Sequence, residues 1–121
     1  MINCLIVGIG GFIGAVLRYL ISLVPIKNPN SFPVNTFIIN VLGCLMIGVI
    51  TFVLAKNQNI SPKVILLLKV GVCGGFTTFS TFSLESAQLI KNGSVLMAVL
   101  YIFLSAAVGI AAVVLPELIV K

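Results

Sequence analysis

The chain has 121 residues, of which 60% are hydrophobic and 7% charged, and its formal net charge is +5. A soluble domain carries about 25% charged residues, and one this small has no interior large enough to hide so much apolar surface. Composition therefore excludes a water-soluble globular protein and makes lipid the solvent. The seven basic residues stand singly, with no patch interleaved with exposed aromatics, so a nucleic-acid surface is excluded too.

A helix needs about 20 apolar residues to cross a bilayer, and four stretches qualify. Span one covers roughly 2–24 and opens "MINCLIVGIGG". It lacks a basic leader and a small-residue cleavage site, so it reads as a retained span and not a signal peptide. Gly10 and Gly14 form a GxxxG face, the pattern by which membrane helices approach backbone to backbone. Arg18 lies near the end of the span. An arginine at the bilayer centre costs about 2.5–3.5 kcal/mol, so it either snorkels to the interface or sits at the mouth of an anion route. "PIKNPNSFP" then makes a loop.

Span two covers roughly 34–55. Helical spacing puts Thr36, Asn40 and Gly43/Cys44 on one stripe. The Asn40 amide offers two donors and an acceptor, suited either to joining helices or to meeting a permeating anion. After "KNQNISPK", span three covers roughly 64–90, with a second glycine pair at Gly71 and Gly75. Its centre reads "GGFTTFSTF", Gly74 to Phe82. Adjacent glycines followed by Thr and Ser are poor helix formers. A broken helix survives in a bilayer only where protein or a polar cavity satisfies the freed backbone. Gly74 to Thr78 is therefore predicted to be unwound, with carbonyls turned inward, as at sites that coordinate cations.

Phe76, Phe79 and Phe82 recur every third residue, and Ser80 and Ser83 keep the same spacing on a neighbouring face. Ring edges are electropositive. They can flank a small anion without the tight grip of a full charge, and conduction needs sites weak enough to leave. Glu85, three residues on, is the only acid plausibly inside a span and invites a proton-coupling reading. "KNGS" ends the span.

Span four covers roughly 95–119. Ser94, Tyr101, Ser105 and Gly109 share a stripe, and the depth of Tyr101 argues for an inward hydroxyl. Cys4, Cys44 and Cys73 all fall in apolar segments with no metal-ligand spacing and no histidine in the chain. They read as small buried hydrophobes. Enzymatic chemistry is excluded by the same lack of histidine, of a phosphate-cradling loop and of paired carboxylates.

The fold class is thus an all-α membrane protein, a single transmembrane domain of four helices with a break in the third. Topology follows Lys and Arg, but Lys56, Lys63, Lys69 and Lys121 fall on one side and Arg18, Lys27 and Lys91 toward the other. So even a count either carries no information or marks a chain that inserts both ways. Four short spans enclose little, so a homo-oligomer is expected.

"GGFTTFSTFSLE", "PVNTFIINVLG" and "GAVLRY" resemble, in order and over nearly the whole chain, the Fluc fluoride channels of the CrcB family. The resemblance implies an antiparallel dual-topology homodimer with two pores, exporting fluoride passively across the bacterial or archaeal plasma membrane and relieving fluoride toxicity. It implies a structural sodium ion at the dimer interface, held by backbone carbonyls of Gly74 and Thr77. The pore groups it implies are Asn40, Phe79, Phe82, Ser80, Ser83, Thr36, Tyr101 and Ser105, with Arg18 in the vestibule and Glu85 as a polar-track partner. Phe76 is left as packing. Members can carry another hydroxyl near position 109, where Gly109 stands, so the resemblance takes the hydroxyl track only to Ser105. The competing class is a small four-helix proton-coupled efflux transporter, which places a glutamate in its first helix; span one has Arg18 and no acid. A scaffold subunit would have no use for hydroxyls, an amide and ring edges at the midplane.

Overall fold

The computed structural model describes residues 1–25 and 32–119. Residues 26–31, most of the expected loop with Lys27, and 120–121, with Lys121, lie outside the described residues. Among the described residues, four helical segments are long and apolar enough to cross a membrane: Ile2–Ser22, Val34–Lys56, Pro62–Lys91 and Val95–Ile119. These match the expected spans to within a turn, and they make the chain a multi-pass membrane protein.

The first two spans are the single helices α1 (Ile2–Ser22) and α2 (Val34–Lys56). Asn35 joins them, donating from Nδ2 to the carbonyls of Ser22 (3.3 Å) and Val24 (2.8 Å), groups a helix end leaves unpaired. Span three starts with Ser61 as N-cap and Pro at the first helical position, the place where a missing N–H costs nothing. It is built from α3 (Pro62–Ile65), a π-helical stretch (Leu66–Cys73), α4 (Gly74–Phe76) and, after a break, α5 (Phe79–Lys91). It closes in a Schellman turn: Gly93 takes φ 86°, Ser94 N–H bonds the Leu89 carbonyl (2.8 Å) and Gly93 N–H that of Ile90 (3.1 Å). The fourth span is α6 (Val95–Ile119).

The two glycine pairs pack against each other. A Cβ on Gly10 would stand 2.8 Å from the Gly71 Cα, one on Gly75 would stand 2.6 Å from the Gly11 carbonyl oxygen, and one on Gly14 would fall onto the Val72 carbonyl oxygen. Helix α1 thus lies backbone to backbone along the upstream half of span three. Downstream of the break the partner changes. Helix α5 packs on α6, and α6 in turn runs along α2, while α1 and α2 barely touch.

Two expectations need correction. The glycines do not unwind the chain: Gly74–Phe76 is helical and the break is confined to Thr77 and Thr78, both with extended backbone (ψ 157° and 120°). The seam explains the difference, since Gly75 serves close approach to α1 and its propensity cost is met by that packing. The cysteines are not all buried either. Cys73 is buried and Cys44 half-buried, but Cys4 is exposed on α1, where apolar side chains face outward around it.

Candidate functional site

The break is held by Asn40. Its Nδ2 donates to the Thr78 carbonyl (3.1 Å) and its Oδ1 accepts from the Thr78 N–H (2.9 Å). The amide is therefore helix glue first, and its second N–H is left for another acceptor. Thr78 caps α5, its hydroxyl accepting from the Thr81 N–H at 3.2 Å.

These two diversions strip neighbouring carbonyls. In an unbroken helix the Thr78 N–H would turn back onto the Gly74 carbonyl and the Thr81 N–H onto that of Thr77. Both donors are spent elsewhere. Arg18 meets the same end of the upstream half: its Nε donates to the Gly75 carbonyl at 3.1 Å. The side chain is half-buried and turned onto the carbonyl end of a half-helix, where a cation is favoured.

Beside the break lies a cleft of about 470 Å³, lined by Asn40, Thr77, Thr78, Phe79, Phe82 and Ser105. Gly43 and Cys44 of α2 and Ile102 of α6 complete its walls. The rings of Phe79 and Phe82 are tilted 45° to each other with centroids 5.9 Å apart. Phe79 is 79% exposed, an aromatic standing at the cleft's open side. The Ser105 Oγ is buried and has no hydrogen-bond partner among the described residues. No acidic or basic side chain among the described residues lines the cleft. Its polar groups are an amide, hydroxyls and backbone.

A second cluster adjoins the first. Glu85 accepts from the Thr36 hydroxyl at one oxygen (3.0 Å) and from the Tyr101 hydroxyl at the other (2.9 Å). Thr36 is buried and Tyr101 fully so, which fits the inward hydroxyl expected from its depth. Phe82 joins the clusters, its ring 5.0 Å from that of Tyr101. Ser80 and Ser83 stand on the exposed side of α5 and do not line the cleft, although the Ser80 Oγ reaches the Thr78 hydroxyl (3.4 Å). Phe76 is buried, away from the cleft, as packing.

Thr77 and Thr78 were not singled out from sequence as cleft walls. The signal that could have found them is Thr78 itself, an N-cap residue type just before α5 resumes.

Known proteins resemble the chain throughout. A model of the family described as "CrcB-like protein, Camphor Resistance (CrcB)" matches residues 5–116. A protein of Ruminiclostridium cellulolyticum named "Fluoride-specific ion channel FluC" is 46% identical over 122 residues, covering 100% of this chain and 94% of the relative. Proteins of that name from Azobacteroides pseudotrichonymphae and Chlorobaculum tepidum are each 45% identical over 111 residues, covering 91% and 92% of this chain and 89% and 88% of theirs. With the family model spanning nearly the whole sequence and these relatives aligned over nine-tenths or more of it, the chain belongs to the CrcB family.

Proposed function

We propose that the protein is a fluoride-selective channel, not an enzyme, that lets the anion leave the cell passively across the plasma membrane and so relieves fluoride toxicity. The observation that carries this reading is the composition of the cleft wall. Two tilted phenylalanine rings, the spare Asn40 N–H and the Ser105 hydroxyl share one cavity in which, among the described residues, that hydroxyl has no partner and no charged side chain lines the wall. Ring edges and neutral donors replace part of a small anion's water shell. A lysine in that place would hold the ion too long for conduction. The names of the relatives give the anion its identity.

A dimer of two copies in antiparallel orientation completes the site. Only 11–22% of each span is buried within the protomer, and the cleft's open side would otherwise set hydroxyls and break carbonyls against hydrocarbon, at a cost of several kcal/mol per unsatisfied group. Dual topology gives such a dimer two equivalent pores. In this arrangement Phe79, Phe82, Asn40 and Ser105 line the pore. Thr36, Tyr101 and Glu85 continue its polar wall, Ser80 reaches its edge through the Thr78 hydroxyl, Ser83 stays outside the cleft within the protomer, and Arg18 supplies positive potential near its mouth.

A structural sodium ion fits the break. The Gly74 and Thr77 carbonyls have lost their usual helical donors, and neutral oxygen ligands suit a hard cation. Those carbonyls from both copies would hold it, and the ion would supply charge that ties the dimer together.

Fluoride efflux from proteoliposomes under zero proton gradient tests the function. Rapid fluoride release with negligible chloride release is expected. Release that requires a proton gradient would return the protein to the efflux-transporter class, with Glu85 as the coupling acid.

A further inference from the structure

Helices α2 and α6 are separated by one crossing, so they run the same way. They meet in matched rungs, four residues per step on each. Thr36 and Tyr101 share Glu85, and Asn40 and Ser105 share the cleft. One step further a Cβ on Gly109 would stand 3.3 Å from the Cys44 Sγ, and at the next a Cβ on Gly48 would fall onto the Val113 carbonyl oxygen. The first two rungs present hydroxyls, an amide and a carboxylate. The fourth is a backbone contact with no room for an ion. The third differs from both kinds. It holds a thiol on one helix and no side chain on the other, its thiol side lines the same cleft, and it lies one turn from the unpartnered Ser105 hydroxyl.

We infer that the Cys44 thiol is the last donor on the anion's route along this wall, and that the route leaves the α2–α6 ladder at that level. The inference rests on the channel reading above. A thiol is a weak donor and a small, soft side chain. Gly109 lets α6 come close on the far side of the sulfur, where a Cβ would stand 3.3 Å from it, so the open side of Cys44 is the cleft it lines. Above it the Gly48–Val113 contact shuts the ladder, so an ion handed on from Asn40 and Ser105 meets the Cys44 sulfur before it turns aside.

The test uses the full-length protein in proteoliposomes in a Cys4→Ala/Cys73→Ala background, both positions lying outside the cleft. The probe is methyl methanethiosulfonate. The Cys44 thiolate attacks the reagent's sulfenyl sulfur, forms a Cys–S–S–CH3 disulfide and expels methanesulfinate, the thiol proton going to buffer. Fluoride efflux is expected to fall at least tenfold on modification and to recover with dithiothreitol. Cys44→Ser, which keeps a donor, is expected to ignore the reagent and to conduct about tenfold faster than Cys44→Val, which keeps bulk and loses the donor. Should Cys44→Val fail to assemble, the reagent arm decides alone. Methylthiolation verified by mass spectrometry with efflux unchanged overturns the inference, and so does a Cys44 that never reacts. A parent protein that releases no fluoride defeats the channel reading and this inference with it; a conducting parent indifferent to Cys44 defeats the inference alone.

Discussion

The two halves of span three do opposite work in one membrane crossing. Upstream of the break, residues 66–76 meet α1 through glycines, backbone against backbone, and Arg18 adds a polar contact with the Gly75 carbonyl. Downstream, α5 brings Phe82 and Glu85 against α6 and α2 through rings and side-chain hydrogen bonds. The first half is seated by the absence of side chains and the second by their presence. Splitting the helix at Thr77–Thr78 lets each half keep its own partner and face.

That contrast breaks most visibly at the seam. Gly14→Val would drive a branched side chain into the Val72 carbonyl, where neither backbone can yield. Overpacking of this kind costs about 3 kcal/mol at the upper end of its range, and the monodisperse peak in size-exclusion chromatography should be lost. A Cβ placed on Gly8 would meet nothing within 4 Å, so Gly8→Ala should leave that peak intact. A well-behaved Gly14→Val protein would mean the glycines are not what seats the upstream half.

The hinge between the halves comes next. Asn40→Ala leaves both the N–H and the carbonyl of Thr78 without their partner. Each buried unsatisfied group costs about 1–3 kcal/mol. Thermal unfolding in detergent should move down by several degrees while fluoride efflux falls about tenfold, since about 1.4 kcal/mol of lost stabilisation is a factor of ten. Unchanged unfolding with slowed efflux would separate the amide's contact with the ion from its grip on the break.

The smallest effect is expected on the downstream face. Phe79→Ile removes a ring that is largely exposed in the protomer, so the packing within the protomer should be unaffected. Efflux should drop about two- to tenfold, the reach of an aromatic-edge interaction of about 0.5–1.5 kcal/mol. Phe82→Ile should do the same and also loosen the contact with Tyr101. Wild-type efflux in both variants would reduce the rings to packing and erase the functional side of the comparison.

Much of this arrangement was legible in the residues. The spans follow from the length of the apolar runs, and the Gly10/Gly14 and Gly71/Gly75 pairs mark the seam because lipid gives helices no other reason to place glycine so regularly. The stripe of Thr36, Asn40 and Cys44 faces inward as 3.6-residue spacing requires. The break was harder to place. Glycine has two uses, freedom and close approach, and local propensity registers only the first, so the unwinding read at Gly74 belongs three residues later. The π winding of Leu66–Cys73 leaves no composition signal. The partner of Arg18 was hidden because it is a backbone carbonyl, which every residue has. Cys4 was misjudged because, in a membrane protein, an apolar neighbourhood does not mean an interior one.

Because α1 and α2 meet little beyond the Asn35 contacts at one end, the N-terminal helix reaches the cleft chiefly by way of the crossing it clasps. A perturbation of its outer face is felt there through the upstream half of span three and the Thr77–Thr78 link. Helix α1 therefore behaves as a mooring for the chain, free to vary on its outward side so long as its glycine edge and Arg18 hold.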